Sequence, residues 1–65
     1  MRRPATSIII KPTARGHHTL SVAHGKFIHF FPRLTKDRAN GLAKSFAHLA
    51  RQAPARLTDI MQRMR

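Results

Sequence analysis

Acidic residues are almost absent from this sequence. Among its 65 residues only Asp37 and Asp59 carry a negative side chain, against 13 lysines and arginines, for a formal net charge of +11. The chain therefore cannot neutralise most of its own positive charge, and a domain with such an excess attracts polyanions at long range. Solubility alone asks for a net charge of about 2–8 in a small domain. The charge thus predicts a polyanionic partner, and nucleic acid is the first candidate.

Cysteine and long apolar runs are absent too. Without cysteine there is no disulfide framework and no thiolate metal site, which fits a reducing compartment. The longest apolar run, residues 8–10, is far short of the roughly 20 residues that cross a bilayer. No apolar segment of a secretory signal follows the basic first residues. We therefore expect a soluble, cytoplasmic protein with no membrane span.

The first half of the chain predicts a flexible arm followed by three short strands. Residues 1–6 are basic and include a proline, which favours a mobile arm. Three β-rich segments follow, and each ends at a proline or a turn signal. These segments are residues 7–11, which predict an edge strand, 18–23 and 26–31.

His24-Gly25 is a tight-turn signal, and the length of its loop determines which side chains share a face. A two-residue loop at this dipeptide would pair Val22 with Phe27 and would place His29 opposite Leu20, on the core face. A three-residue loop over residues 23–25 pairs Leu20 with Ile28 instead. We favour the longer loop because it gathers apolar side chains on one face: Leu20, Val22, Ile28 and Phe30. It leaves three rings on the opposite face: Phe27, His29 and Phe31.

Two helices are predicted in the second half. Thr35 is a good N-cap, Asp37 suits the first turn, and Pro54 ends the first helix. One apolar stripe recurs at helical spacing between them: Ala39, Leu42, Ala43, Phe46, Leu49, Ala50 and Ala53. Gly41 interrupts this helix and suggests close packing. A second helix over about 55–64 carries four apolar side chains that must pack on the same core or on a second subunit: Leu57, Ile60, Met61 and Met64.

The predicted fold class is α+β, in the order β-β-β-α-α, with a small three-stranded antiparallel sheet covered on one face by the first helix. Its parts are a flexible basic arm (1–6), a βββα domain (7–53) and a short C-terminal helix (54–65). A homodimer through that C-terminal helix is one expectation. A ribbon-helix-helix arrangement, with residues 26–31 as the ribbon, is another and would also require a dimer.

The face predicted to carry the three rings is the first candidate site. Aromatic rings flanked by cations suit stacking on unpaired bases, and strands can also enter a DNA major groove. The residues predicted to contact nucleic acid are Lys26, Phe27, His29, Phe31 and Arg33, with Arg2, Arg3 and Arg15 on phosphates. The structural alternative is that the rings are covered by the chain itself or by a partner.

The five histidines do not predict a metal site. No thiolate or carboxylate accompanies them, and no His-x-x-x-His pair lies on the helix. We expect no metal and no cofactor. A histidine could still act as a general acid or base in RNA cleavage.

Three short motifs carry a resemblance to a known family. The motifs are, in order, Gly16-His17-His18, His24-Gly25-Lys26 and Pro32-Arg33 before a helix. With them the chain resembles HicA-type mRNA interferase toxins over about residues 15–52. The resemblance implies a double-stranded-RNA-binding-like fold and makes His18 the catalytic histidine of a metal-independent ribonuclease. The chain departs from that family in three respects: the signature serine is absent, the N-terminal helix is missing, and a C-terminal helix is added.

The predicted architecture also looks like the arm-type DNA-binding modules of tyrosine recombinases, in which a sheet lies in the major groove.

The sequence thus leads to a non-enzymatic nucleic-acid-binding protein, regulatory or accessory, of the kind carried by phages, plasmids and other mobile elements. Whether it prefers DNA or RNA stays open. The alternatives are the ribonuclease toxin using His18 and an inhibitor module that docks on an acidic protein surface.

Overall fold

The computed structural model describes residues 5–64 of the chain. Three strands precede two helices: β1 (Thr6–Pro12), β2 (His18–His24), β3 (Phe27–Leu34), α1 (Lys36–Gln52) and α2 (Pro54–Arg63). This confirms the α+β prediction and its β-β-β-α-α order. Arg2 and Arg3 of the predicted arm lie outside the described residues, and Thr6, also assigned to the arm, is instead the first residue of β1.

The strands form one antiparallel sheet in the order β1-β2-β3, so β1 is an edge strand as predicted. Both helices pack on the same face of the sheet. α1 lies against β1 and β2, whereas α2 contacts α1, β2 and β3. Within residues 5–64, neither helix combines the length and the apolar character that a membrane crossing requires.

The predicted pairing of β2 with β3 is wrong. The turn consists of Gly25 and Lys26, and His24 pairs directly with Phe27, so Leu20 lies opposite Phe31 rather than Ile28. Gly25 has a φ of 62°, which glycine adopts without steric cost. This register reverses the predicted faces of β3. The side chains that point toward the helices are Phe27, His29 and Phe31, and those that point away are Ile28 and Phe30.

Aromatic packing accounts for the observed register. The Phe31 ring lies 5.6 Å from the ring of Phe46 on α1, at a distance typical of favourable aromatic pairs. His29 is half-buried beside Phe31, with 4.8 Å between ring centroids. The covering of these rings by the chain's own helices is the structural alternative that the sequence left open.

The helices begin and end close to where the sequence predicts. Thr35 caps α1, since its hydroxyl oxygen accepts a hydrogen bond from the backbone N–H of Arg38 at 3.2 Å. Pro54 occupies the first turn of α2, where its missing N–H costs nothing. The apolar side of α2 packs into the chain's own core rather than requiring a second subunit. That core is formed by Leu20, Val22, Phe46, Leu57 and Met61.

Candidate nucleic-acid interface on the open sheet face

The face of the sheet turned away from the helices, here called the open face, is an ordered array of three cross-strand rows. The strand pairing defines these rows from one end to the other as Ser7–Ala23–Ile28, Ile9–Ser21–Phe30, and Lys11–Thr19 with Pro32 and Arg33. Its large apolar side chains are solvent-exposed: Ile28 and Phe30 at 63% each and Ile9 at 47%. Exposed apolar side chains gathered on one face are a feature of interaction surfaces.

A bulge in β3 builds the last of these rows. Leu20 pairs with Phe31 and His18 pairs with Leu34, so two residues of β3, Pro32 and Arg33, lie opposite Thr19. The sequence predicted that Pro32 would end the strand. Instead β3 continues, because a proline is tolerated in an edge strand and at a bulge.

Arg33 adopts an unusual backbone conformation in this bulge. Its φ is 59°, in the left-handed region, which costs a residue with a side chain about 1–2 kcal/mol. Arg15, in the turn between β1 and β2, has a φ of 63°. Strained residues of this type concentrate at functional sites.

Four cations lie at the same end of the sheet, here called the basic end. Pro12 of β1 pairs with His18, and His18 pairs with Leu34, so the β1–β2 turn and the end of β3 are neighbours. The four are all exposed: Lys11, Arg15, Arg33 and Lys36. Lys26, which the sequence grouped with Arg33, occupies the turn at the opposite end of β3, about 23 Å away at the usual rise per residue. The structure therefore brings Arg15 and Arg33 together but not Lys26.

No carboxylate forms an ion pair with the basic end within residues 5–64. The only ion pair in that part of the chain joins Arg63 to Asp59, at 3.3 Å, and both side chains are exposed on α2. Asp37 lies in the first turn of α1, where a negative charge interacts favourably with the helix dipole. The positive potential of the basic end is thus available to an external anion.

The three rings predicted to contact bases are not on the open face. Phe27, His29 and Phe31 are half-buried against the helices, whereas Ile28 and Phe30, assigned to the core, are exposed. The signal that could have shown this is Gly25 followed by Lys26, because a two-residue turn there gives the observed faces.

His18, the catalytic residue that the toxin resemblance implies, shares the helix-facing side of β2 with Leu20. It is half-buried, and its Nδ1 atom is buried without a hydrogen-bond partner among the described residues. Within residues 5–64, no three or more histidine, aspartate or glutamate side chains come close enough together to hold a metal ion.

Sequence reasoning missed the structural role of His24, which was assigned to the turn. Its side chain is 1% exposed. Its Nδ1 lies 2.8 Å from Thr6 Oγ1, and its Nε2 lies 2.8 Å from Thr58 Oγ1 and 3.2 Å from the Pro54 carbonyl oxygen. It therefore stabilises the fold beneath the open face and is not part of that face.

Comparison of the chain with protein-family models, with curated proteins and with solved structures finds no match. Its function is therefore inferred from the open face, the basic end and the charge of the chain.

Proposed function

We propose that this protein binds nucleic acid through the open face of its sheet, with the cations of the basic end on phosphates. The observation that carries the proposal is the row structure of that face. Exposed Ile9 and Phe30 lie in the row next to Lys11 and Arg33, Ile28 lies one row further away, and no carboxylate within residues 5–64 forms an ion pair with these cations. Apolar contacts with bases next to cationic contacts with phosphates are what a nucleic-acid surface requires.

The parts of the open face have different roles. Lys11 and Arg33, joined by Arg15 from the adjacent turn, bind phosphates and set the orientation of the complex. Ser21 and Thr19, in the central strand, offer hydroxyl groups that both donate and accept hydrogen bonds at base edges. Arg2 and Arg3, which the sequence assigned to phosphates, remain part of the proposal as additional cations.

Duplex DNA fits this face better than an unpaired strand. A platform for unpaired bases uses two or three successive rings, whereas Phe30 is the one phenylalanine exposed on the open face. Isoleucine side chains suit the C5-methyl group of thymine, which lies in the major groove. A pair of strands can enter that groove, which is roughly 12 Å wide. The corresponding groove of duplex RNA is too narrow and deep for side chains to read.

A titration of labelled duplex DNA, single-stranded DNA and RNA at two salt concentrations tests the proposal. We expect duplex DNA to bind most tightly at about 50 mM salt and to lose about a hundredfold in affinity at about 200 mM, as release of counterions from four phosphates predicts. Absence of binding to every nucleic acid at the lower salt would refute the proposal.

A matched pair of variants locates the site. Lys11→Glu with Arg33→Asp should weaken binding far more than Lys44→Glu with Arg56→Asp, although both double variants change the net charge equally. Equal losses would mean that binding depends on total charge and not on the open face. Deoxyuridine in place of thymine in the same duplex should weaken binding severalfold, because it removes the C5-methyl groups.

A further inference from the structure

The outer edge of β1 lacks the features that ordinarily prevent an edge strand from pairing. Such strands are protected by charges, prolines or a covering segment, because their free backbone groups are a template for another strand. From Thr6 to Ile10, β1 has neither a charge nor a proline, and its Lys11 and Pro12 come only at the end. No described segment pairs with this edge, since β1 has β2 as its sole neighbour within residues 5–64.

The backbone groups at this edge can be assigned. The N–H of Gly25 donates to the carbonyl oxygen of Ala5 at 3.0 Å, in continuation of the β1–β2 pairing. Hydrogen-bonded and non-hydrogen-bonded pairs alternate along an antiparallel ladder. The N–H and C=O groups of Thr6, Ile8 and Ile10 therefore point outward, in the spacing that an incoming strand requires.

A groove follows the same edge on the helix side of the sheet. It is lined by Thr6 and Ile8 of β1 and by Ala47, Ala50 and Arg51 of α1. The two alanines are small, so they leave room between the helix and the strand. An apolar side chain of an added strand would lie between Ile8 and these alanines, where it loses contact with water.

The rim of the groove is cationic. Arg51 lines it and is exposed, and Lys44 lies two helical turns earlier on the same side of α1, about 10.5 Å away along the axis. Neither forms an ion pair within residues 5–64. A second copy of the chain would bring another charge of +11 against this rim, whereas an acidic segment would neutralise it.

We propose that the β1 edge and its groove bind an extended acidic segment of another protein, which adds to the sheet as a fourth strand. Its backbone pairs with Thr6, Ile8 and Ile10, one apolar side chain occupies the groove, and its carboxylates meet Arg51 and Lys44. The groove lies on the helix side of β1 and the nucleic acid is proposed to meet the other side. Either proposal can therefore fail without the other.

The test uses the full chain, labelled for nuclear magnetic resonance, and a nine-residue probe peptide, Thr-Glu-Thr-Val-Thr-Glu-Thr-Glu-Thr, in which the valine and the three glutamates share one face of the strand. We expect the amide signals of Thr6, Ile8 and Ile10 to shift on binding and their hydrogen exchange to slow. The control peptide has the same sequence with N-methyl groups on the backbone nitrogens of the valine and of the threonine after it. One of these two N–H groups faces β1 whichever edge of the peptide pairs, so the control loses one hydrogen-bond donor to β1. It should bind about tenfold more weakly, as the loss of a hydrogen bond predicts. Equal binding of the two peptides would show attraction by charge alone and would overturn the proposal.

A pair of exposed arginines supplies the matched variants. Arg51→Glu should weaken binding of the probe peptide about fivefold, whereas Arg56→Glu on α2 should leave it nearly unchanged. Equal effects would overturn the proposal. So would a free protein that sediments as a dimer with Thr6, Ile8 and Ile10 already protected from exchange, because a second copy would then occupy the edge.

Discussion

The Nε2 atom of His24 lies 2.8 Å from the hydroxyl oxygen of Thr58, which joins the central strand to the last helix. The Thr58 hydroxyl donates to the carbonyl of Pro54 at 3.0 Å, so its oxygen accepts from His24 Nε2–H. This network places a proton on Nε2, while Nδ1 lies 2.8 Å from the Thr6 hydroxyl oxygen, within hydrogen-bond distance. One buried imidazole therefore connects β1, β2 and α2.

Removal of the Thr58 hydroxyl should show how much the hydrogen bonds of His24 contribute to the free energy of unfolding. Thr58→Val keeps the shape of the side chain but deprives His24 of a hydrogen bond, so we expect unfolding in urea to require about 1–2 kcal/mol less free energy. Thr13→Val is the matched control: it removes an exposed hydrogen bond, which the Thr13 hydroxyl donates to the His17 carbonyl at 2.9 Å, and it should cost less free energy because water can replace that bond. Equal urea midpoints for Thr58→Val and the unmodified chain would contradict the structural role of His24.

Gly41 weakens α1 without a packing reason. A Cβ atom placed there would meet no heavy atom within 4 Å, so the close packing that its position suggested is absent. Gly41→Ala should raise the free energy of unfolding by about 1 kcal/mol. Gly16→Ala is the matched control: it also has open space, but its φ of 75° should make the substitution destabilising. Thermal unfolding of the two variants should therefore shift in opposite directions.

Substitution of Arg33 by glycine should raise the stability of the fold and lower its affinity for duplex DNA. Arg33→Gly removes the left-handed penalty and should stabilise the fold by up to about 1 kcal/mol, since glycine adopts that conformation freely. The same variant should weaken duplex DNA binding because it removes a cation that is proposed to contact phosphate. Arg33→Lys keeps both the strain and the charge and should resemble the unmodified protein. If Arg33→Gly bound DNA as tightly as the unmodified chain, the bulge would not serve the interface.

Neighbouring phenylalanines on β3 should have opposite effects. Phe30→Ala changes an exposed ring, so its stability should stay within about 0.5 kcal/mol while DNA binding falls. Phe31→Ala removes a ring packed on Phe46 and should lower the free energy of unfolding by about 2–3 kcal/mol. Chemical denaturation and a DNA titration on both variants check this. The reverse outcome would restore the face assignment predicted from the sequence.

The resemblance to ribonuclease toxins can be tested directly. Because His18 is half-buried on the helix side of the sheet, we expect the purified protein to leave RNA uncut and its expression to permit normal growth. Growth arrest that His18→Ala relieves, together with RNA cleavage that persists in a metal chelator, would contradict a non-enzymatic function.

The elements of this fold could be predicted because their signals are local. The cap at Thr35, the stop at Pro54 and the stripe that includes Phe46 each depend on residues a few positions apart. The edge position of the first strand followed from its short β-branched run and the proline that ends it. These signals can be used without knowing which elements pack against each other in the folded chain.

The register and the interface could not be predicted in the same way. Placing His29 on the core side looks unfavourable until Phe31 and Phe46 are seen to pack beside it. The sequence also gives no indication of the bulge that brings Arg33 beside Thr19, because a register shift depends on the pairing of two strands. The rejected two-residue loop would have given the observed faces, although its individual pairs are also wrong.

The single exposed ion pair of α2 has a consequence for handling this protein. Since Asp59 and Arg63 form the only such pair within residues 5–64, mutual repulsion among cations opposes folding more than attraction supports it. Dissolved salt screens that repulsion and should raise the melting temperature, whereas the same ions should weaken the proposed binding to phosphate. Ionic strength should therefore drive folding and the proposed complex formation in opposite directions, so the buffer that stabilises the free chain most should be the least suitable one for detecting a bound nucleic acid.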